Sequence, residues 1–338
     1  MAMTPSVPHG YTTQGVNETM VSDDTIRAAL PHTLESVDLP GLGAPLRGKV
    51  RDSFVRGAER IIVVTDRISA FDVVLGTVPF KGQVLNQMAA HWFEQTRHIA
   101  PNHLIDVPDP AVSVCTECRT LPVEMVVRAY LTGSTSTSIW KAYEGGARDF
   151  CGHDLPGGMR KHQRLERPII TPSTKAEEGG HDESVSREDL LRRTEITEAQ
   201  FDEMADYALG LFGYGTDQAA SRGLILVDTK YEFGLSPDGR IMVIDEVHTP
   251  DSSRYWYADD YQQRFEAGEN PRSLDKEFVR RALIERGYSG DGPAPALGDE
   301  LRVEAAKRYA EILSVVTGVA FEGDTREPVA RITAALDL

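Results

Sequence analysis

Hydrophobic positions along this chain follow two rhythms. Residues 48–54 (GKVRDSF) alternate between polar and apolar, the period of a half-buried strand, and 60–65 (RIIVVT) reads as a buried neighbour. Leu85, Met88, Ala89, Trp92 and Phe93 instead fall at helical spacing, predicting a helix that opens at Lys81-Gly82. Residues 122–127 form an apolar strand running into Arg128, and 134–143 predict a helix closed by Gly145-Gly146. The next stretch, 145–168, is rich in Gly, Pro, His and Arg and reads as an exposed loop. Thr197 and Gln200 form a capping box before a stripe of Phe201, Met204, Ala205, Ala208, Leu211 and Phe212. A short helix is expected over 24–30 and, after a Gly/Pro-rich stretch at 287–298, a C-terminal helix over 299–316. Strands and helices occur without a repeating βαβ rhythm, so the fold class is α+β. The boundary falls near residue 118, between a β-rich lobe (25–118) and a mixed lobe (119–338), with 1–24 as a flexible leader.

The most informative pattern lies between 224 and 256. Leu224 to Val227 is continuously apolar, and Ile241 to Ile244 repeats that character after the turn Ser236-Pro237-Asp238-Gly239. Between them Asp228, Lys230 and Glu232 alternate with Thr229, Tyr231 and Phe233. Strand side chains have period two, so the three charges share one face at steps of about 7 Å. The returning strand ends in Asp245-Glu246. Carboxylates gathered at the end of a hydrophobic sheet suit Mg²⁺, which takes one or two protein carboxylates together with phosphate oxygens. A salt-bridged strand pair at a wet sheet edge fits the same residues. The turn-rich segment after the second strand ends in Arg254, where a ligand anion can sit; the competing reading pairs Arg254 with Asp251 or a nearby glutamate.

Composition narrows the class. The formal charge of −16 over 338 residues leaves no room for a broad basic face, which argues against nucleic acid as a partner. It leaves open a cleft with a few local cations. No apolar run approaches membrane-span length, and the first residues lack the basic start and hydrophobic core of a secretory signal. Three cysteines fit a reducing cytoplasm; Cys115 and Cys118 form a CxxC without the second pair a zinc site wants.

Four more constellations carry candidate chemistry. Lys49 and Arg51 in GKVRDSF place cations where a hairpin can lie over nucleotide phosphates, or form a solvated basic strand. Lys81-Gly82 opens a helix, where a lysine and free N–H groups favour an anion. Arg128 followed by Gly133 and Ser134 resembles a phosphomonoester cradle; N-capping by Ser134 or Ser136 explains the hydroxyls equally well. Lys175, His181 and Asp182 sit among glycines in a loop that can approach a ligand or simply be solvated.

Taken together, GKVRDSF, DRISAFD, KGQVLNQ, PVEMVVRAYLTGS, TPSTKAEEGGHDE, DTKYEFG and IDEVHTPDSSRYW, in that order, resemble the SAICAR synthetase family. The resemblance implies a two-lobed α+β fold related to ATP-grasp enzymes, with ATP between the lobes. It implies a ligase that joins 5-aminoimidazole-4-carboxylate ribonucleotide (CAIR) to L-aspartate with cleavage of ATP to ADP and phosphate, in purine biosynthesis. Carried onto this sequence, it puts Lys49, Arg51 and Lys81 on the ATP side and the backbone of Arg119, Thr120 and Leu121 at the adenine hinge. Glu232 and Asp245 become Mg²⁺ ligands, with Lys230 beside the transferred phosphoryl group. Arg128, Ser134, Asp251 and Arg254 hold the ribonucleotide, and Lys175, His181 and Asp182 sit near the reacting carboxylate, the imidazole or aspartate. The leader and the C-terminal extension leave monomer or small homo-oligomer as the expected state. A kinase of small metabolites would share Mg-ATP and the carboxylates without needing aspartate, and a nucleotide sensor would bind ATP without turning it over.

Overall fold

The computed structural model describes residues 21–71, 73–135, 138–174, 183–274, 277–288, 290 and 292–338. In chain order, α1 (Asp23–Ala29) leads to β1 (Leu46–Arg47), β2 (Arg51–Arg56), β3 (Glu59–Val64), β4 (Arg67–Ala70), β5 (Val73–Thr77), α2 (Lys81–Gln95), β6 (Leu104–Asp109) and β7 (Val112–Thr116). Strands β1, β2, β3, β7 and β6 form an antiparallel sheet in that order, and β4 pairs with β5 beside it. The chain continues through β8 (Arg119–Tyr130), α3 (Ile139–Glu144), β9 (Asp149–Phe150), β10 (His153–Asp154), β11 (Arg164–Thr174), β12 (Glu183–Ser184), α4 (Arg187–Arg193), α5 (Glu198–Ser221), β13 (Leu224–Leu235), β14 (Ile241–Ile244) and β15 (Ser253–Tyr257). Here β12, β11, β8, β13 and β14 make a second sheet, with β15 on the same edge of β13 as β14 but along its first half. Helices α6 (Tyr261–Ala267), α7 (Glu277–Glu285), α8 (Asp299–Thr317) and α9 (Pro328–Ala335) complete the described chain. The mixed α+β class expected from the sequence is what the chain adopts.

Helix α2 joins the two sheets. It packs on β3 and β7 and against α8, so one apolar core runs from Val64 and Trp92 to Tyr231 and Phe233. Helix α5 covers β13 and β8, held at its start by the capping box in which Thr197 accepts from Gln200 N and Gln200 reaches back to Thr197 N. The other face of the first sheet has its own core, where Phe54, Ile61 and Val63 meet Ile332 and Leu336 around α9. Arg331 of α9 enters this core with its guanidinium 2.8 Å from Asp109, both side chains almost wholly buried. The C-terminal segment therefore packs on the first sheet, which departs from assigning 119–338 as a whole to the second lobe.

Two local expectations are corrected. The helix expected over 134–143 begins only at Ile139, capped by Ser138 and not by Ser134; Ser136 lies outside the described residues. Gly133 allows this: its φ is +117°, and a Cβ there would lie 2.3 Å from that of Ser138. The region 145–168 is not simply an exposed loop. It folds the β9–β10 hairpin and buries Leu155 and Leu165 with Leu131, Ile139 and Tyr143 in a small core of its own.

Candidate active site

Strand β13 lies between β8 on one edge and β14 and β15 on the other, so each of its charged positions meets a charged neighbour. Asp228 is opposite Arg128 of β8 and Arg254 of β15. Arg254 Nη1 donates to Asp228 Oδ2, the Arg128 guanidinium stands 3.8 Å from the same oxygen, and Arg128 Nε donates to Thr171 Oγ1 at 2.8 Å. Two residues on, Lys230 Nζ bridges Glu124 Oε1 at 3.0 Å and Glu232 Oε1 at 2.5 Å. The expected one-faced cluster thus exists, and β8 adds a carboxylate to it. Burial opposes the charge on Lys230, but Glu232 and Glu124 outweigh it and raise its pKa well above the ordinary value.

Asp245 follows directly on β14, with its backbone in the left-handed region at φ +70°. Arg51, at the start of β2, reaches across from the first sheet and holds Asp245 Oδ1 and Glu246 Oε2, each at 2.7 Å. Burial pushes the Asp245 carboxyl up to about 6; Arg51 opposes this, while Glu232 and Glu246 add to it. Glu124 and Glu232 pair with Lys230, and Asp245 and Glu246 with Arg51, so these ion pairs set four carboxylates against two cations among the described residues. That surplus of negative charge suits a divalent cation. The described residues contain no ready-made group of three or more metal-ligating side chains, as is usual where phosphate and water complete the shell of Mg²⁺.

On the other side of Arg51 lies Asp251, whose charge also helps keep the guanidinium protonated. Asp251 Oδ2 pairs with Lys81 Nζ at 2.8 Å, and Tyr309 of α8 donates to Oδ1 at 2.7 Å. Lys81 is fully buried. The anion expected at the start of α2 is the protein's own: Asp66 accepts from Gly82 N at 2.9 Å and from Leu34 N at 2.8 Å. Glycine is required at 82 because a Cβ would stand 2.2 Å from Val64 O. Burial raises Asp66 to about 6, against the pull of these N–H groups and Lys81.

Arg128, Asp228, Lys230, Asp251, Arg254 and Arg280 line a cleft of about 160 Å³. Arg280, on α7, carries no sequence signal that marks it; the signal for Glu124 is its place in the alternation of β8. The alternative pairing of Arg254 with Asp251 does not form, since Asp228 and Lys81 take those partners. Lys49 lies in the exposed turn before β2, where its carbonyl accepts from Arg67 Nε at 3.1 Å. Arg119 and Thr120 begin β8 opposite Leu235 and Gly234, next to a small apolar cluster of Cys118, Met242 and Ile244. Ser134 sits in the turn ahead of α3. Lys175, His181 and Asp182 lie outside the described residues.

Fold and cleft together define an enzyme with a mixed α+β architecture whose charged site lies on the second sheet and is reached from the first. The chain belongs to the SAICAR synthetase family, whose model matches residues 45–295. It is 47% identical over 298 residues to the phosphoribosylaminoimidazole-succinocarboxamide synthase of Legionella pneumophila, spanning 88% of this chain and 94% of that protein. The enzyme of the same name from Bacteroides thetaiotaomicron is also 47% identical, over 89% of this chain and 96% of its own. Among solved structures, the Saccharomyces cerevisiae SAICAR synthase complexed with SAICAR superposes with a TM-score of 0.73 at 28% identity, covering 86% of this chain and all of that one. No helix among the described residues is long and apolar enough to cross a membrane.

Proposed function

We propose that this enzyme joins CAIR to L-aspartate, converting ATP to ADP and phosphate and giving SAICAR for purine biosynthesis in the cytoplasm. The observation that carries the reading is the convergence on one strand, β13, of a doubly arginine-flanked carboxylate at 228 and a carboxylate–lysine cluster at 230–232. The first arrangement fits a phosphomonoester, and the second fits phosphoryl transfer a short distance along the same face. ATP would lie between the two sheets, in an arrangement related to ATP-grasp enzymes, with its adenine against Cys118, Met242 and Ile244 and the backbone of 119–121. Residues 25–118 would form the ATP lobe and 119–338 most of the ribonucleotide lobe.

A carboxylate does not condense with an amine at neutral pH, because oxide is the leaving group. A carboxylate oxygen of CAIR would attack the γ-phosphorus, forming an acyl phosphate and releasing ADP. The aspartate amine would then attack the acyl carbon, phosphate would depart, and the nitrogen would lose a proton. Such chemistry demands chiefly positioning and neutralisation of charge. Arg128 and Arg254 would orient the ribonucleotide through its 5′-phosphate, joined by Ser134, while Lys230 and Arg51 would neutralise the transferring group. Lys81 would act through Asp251 rather than on phosphate directly, since it is buried against that carboxylate. Glu232 and Asp245 would hold Mg²⁺, which when bound supplies Lewis-acid charge to the phosphate oxygens. Lys175, His181 and Asp182 are proposed to face the reacting carboxylate and aspartate.

Phosphate release measured with ATP, CAIR and aspartate, each omitted in turn, tests the reaction: all three should be required for amide formation. Phosphorylation of a small metabolite without aspartate would make the protein a kinase instead. Glu232→Gln and Asp245→Asn should each abolish turnover while circular dichroism stays unchanged. Near-wild-type rates at saturating Mg²⁺ would remove both residues from the metal site.

A further inference from the structure

The segment from Asp245 to Arg254 carries four of the charged groups discussed above, and one neutral side chain sits at its middle. His248 is wholly buried and touches four different elements. Its Nε2 is hydrogen-bonded to the Tyr231 hydroxyl of β13 at 2.5 Å, and its carbonyl accepts from the Tyr255 hydroxyl of β15 at 2.9 Å. Trp92 of α2 meets the imidazole edge-on with centroids 4.7 Å apart. On the remaining side is Gly215 of α5, where an added Cβ would lie 2.3 Å from His248 Cε1.

Against these contacts, His248 carries two unfavourable features. Its φ is +52°, a left-handed conformation that β-carbon-bearing residues rarely adopt, and Asp245 three residues earlier shares that strain. Its Nδ1 is buried with no hydrogen-bond partner among the described residues. Burial holds the ring neutral, with the imidazole pushed down to about 3. A buried polar atom and two left-handed residues in one short loop cost stability, and such costs persist where the conformation itself is used.

We propose that His248 is a positioning residue: pinned by Tyr231 and Tyr255 and seated against Gly215, it fixes the loop so that Asp245 and Glu246 meet Arg51 while Asp251 meets Lys81. The inference rests on the proposed function, because it takes those pairs to be the working site. The pin lies three residues from Asp245 and three from Asp251, so displacement of its ring is passed to both halves of the cleft. Gly215 is the device that gives the ring its room, from a helix none of whose residues lines the cleft.

The test is Gly215→Ala. The new methyl must drive the imidazole back by about 1 Å to reach ordinary contact. A misplacement of that size lowers kcat about ten- to a hundredfold. The dissociation constant of Mg·ATP should change by less than about threefold, because the pairs are displaced but not deleted. Trp92 emission should shift as the ring leaves its edge-on contact. In a His248→Leu background the same Gly215→Ala change should lower kcat by less than about twofold, since coupling between touching residues shows as non-additivity. Full multiplicative loss in that background, or wild-type kcat in Gly215→Ala, would overturn the proposal. Should Gly215→Ala fail to fold, Tyr255→Phe deletes only the hydroxyl bonded to the His248 carbonyl and should lower kcat about threefold to tenfold; an unchanged kcat there overturns the proposal equally. A wild-type protein that forms no amide from CAIR and aspartate would sink the proposed function, whereas the Trp92 response and its dependence on His248 would still report on the pin.

Discussion

The proposed grip of Arg254 on the ribonucleotide phosphate can be tested against a specific structural alternative. Arg254 is 23% exposed at the mouth of the cleft and donates to Asp228, which is 7% exposed; Arg128 is 3.8 Å from the same carboxylate. Arg254→Ala would therefore remove the proposed phosphate ligand, and it also removes one of the two arginines paired with a buried carboxylate. A hydrogen bond to a charged partner contributes about 1.5–3 kcal/mol, which corresponds to roughly a ten- to hundredfold rise in KM for CAIR. The KM for ATP should stay within about twofold, because its proposed contacts are on other strands. Loss of the Asp228 partner should also lower the urea midpoint, and Asp228→Asn in the same background should restore part of that stability without restoring KM. Lysine at 254 should recover only a fraction of the affinity, having charge but no two-pronged fork. Steady-state kinetics with each substrate varied in turn decides the matter. Equal effects on both KM values, or a stability loss with unchanged KM, would show that Arg254 serves only to pair Asp228.

Three other perturbations probe separate parts of the molecule. Asp66 has a raised carboxyl pKa of about 6 against an ordinary 3.8; its contribution to stability is thus present below about pH 4 and lost as pH rises through about 6. Urea midpoints at pH 4.5 and 7.5, compared with those of Asp66→Asn, should show a pH dependence that the variant flattens, and identical slopes would refute it. Gly234→Ala places a Cβ 2.9 Å from the Cys118 Cβ and 3.3 Å from Arg119 O, so it should raise KM for ATP several-fold and leave that for CAIR unchanged; the reverse selectivity would move adenine elsewhere. Arg331→Met strands the buried Asp109 carboxylate beneath α9 and should cost about 3–5 kcal/mol in chemical denaturation with kcat retained, whereas a loss under about 1 kcal/mol would mean the pair contributes little.

What the sequence revealed and what it hid divide along a physical line. Period-two alternation placed Asp228, Lys230 and Glu232 on one face because strand geometry is local, and the Thr197 capping box marked a helix start for the same reason. The partners of those charges are not local. Lys81 finds Asp251 170 residues away, and Lys230 finds Glu124 across 106, distances at which spacing carries no information. Strand β15 was hidden because its first residues are those of a turn; it exists because the open edge of β13 supplies hydrogen-bonding partners from Leu224 to Thr229. Likewise Leu155 and Leu165 are isolated apolar residues in a glycine- and proline-rich stretch, and only the return of the chain past Leu131 and Tyr143 gives them a core. Arg280 reaches the cleft because α7 brings it there, and the helix's apolar pattern explains the burial of Val279 and Leu283 but not the arginine between them.

The electrostatics of the cleft follow from those long-range pairs. Lys81 is held by Asp251, Lys230 by Glu124 and Glu232, Arg51 by Asp245 and Glu246, and Arg128 and Arg254 by Asp228. A chain of net charge −16 would repel anionic ligands if its cations were scattered; here they converge, each oriented by a carboxylate behind it. Their side chains are consequently ordered before any ligand arrives, which removes much of the entropic penalty of immobilising long, flexible cations on binding. The same pairing means that an incoming phosphate must share a cation with a carboxylate. Where that carboxylate is Glu232 or Asp245, a divalent cation arriving with the nucleotide would take over its charge and release Lys230 and Arg51 toward the phosphates. On this reasoning metal and nucleotide would bind cooperatively. Titration calorimetry should show ADP affinity rising at least about tenfold with Mg²⁺ in the wild type, with that gain abolished in Asp245→Asn. An equal gain in both proteins would mean that the metal acts only through the nucleotide and that Asp245 serves Arg51 alone.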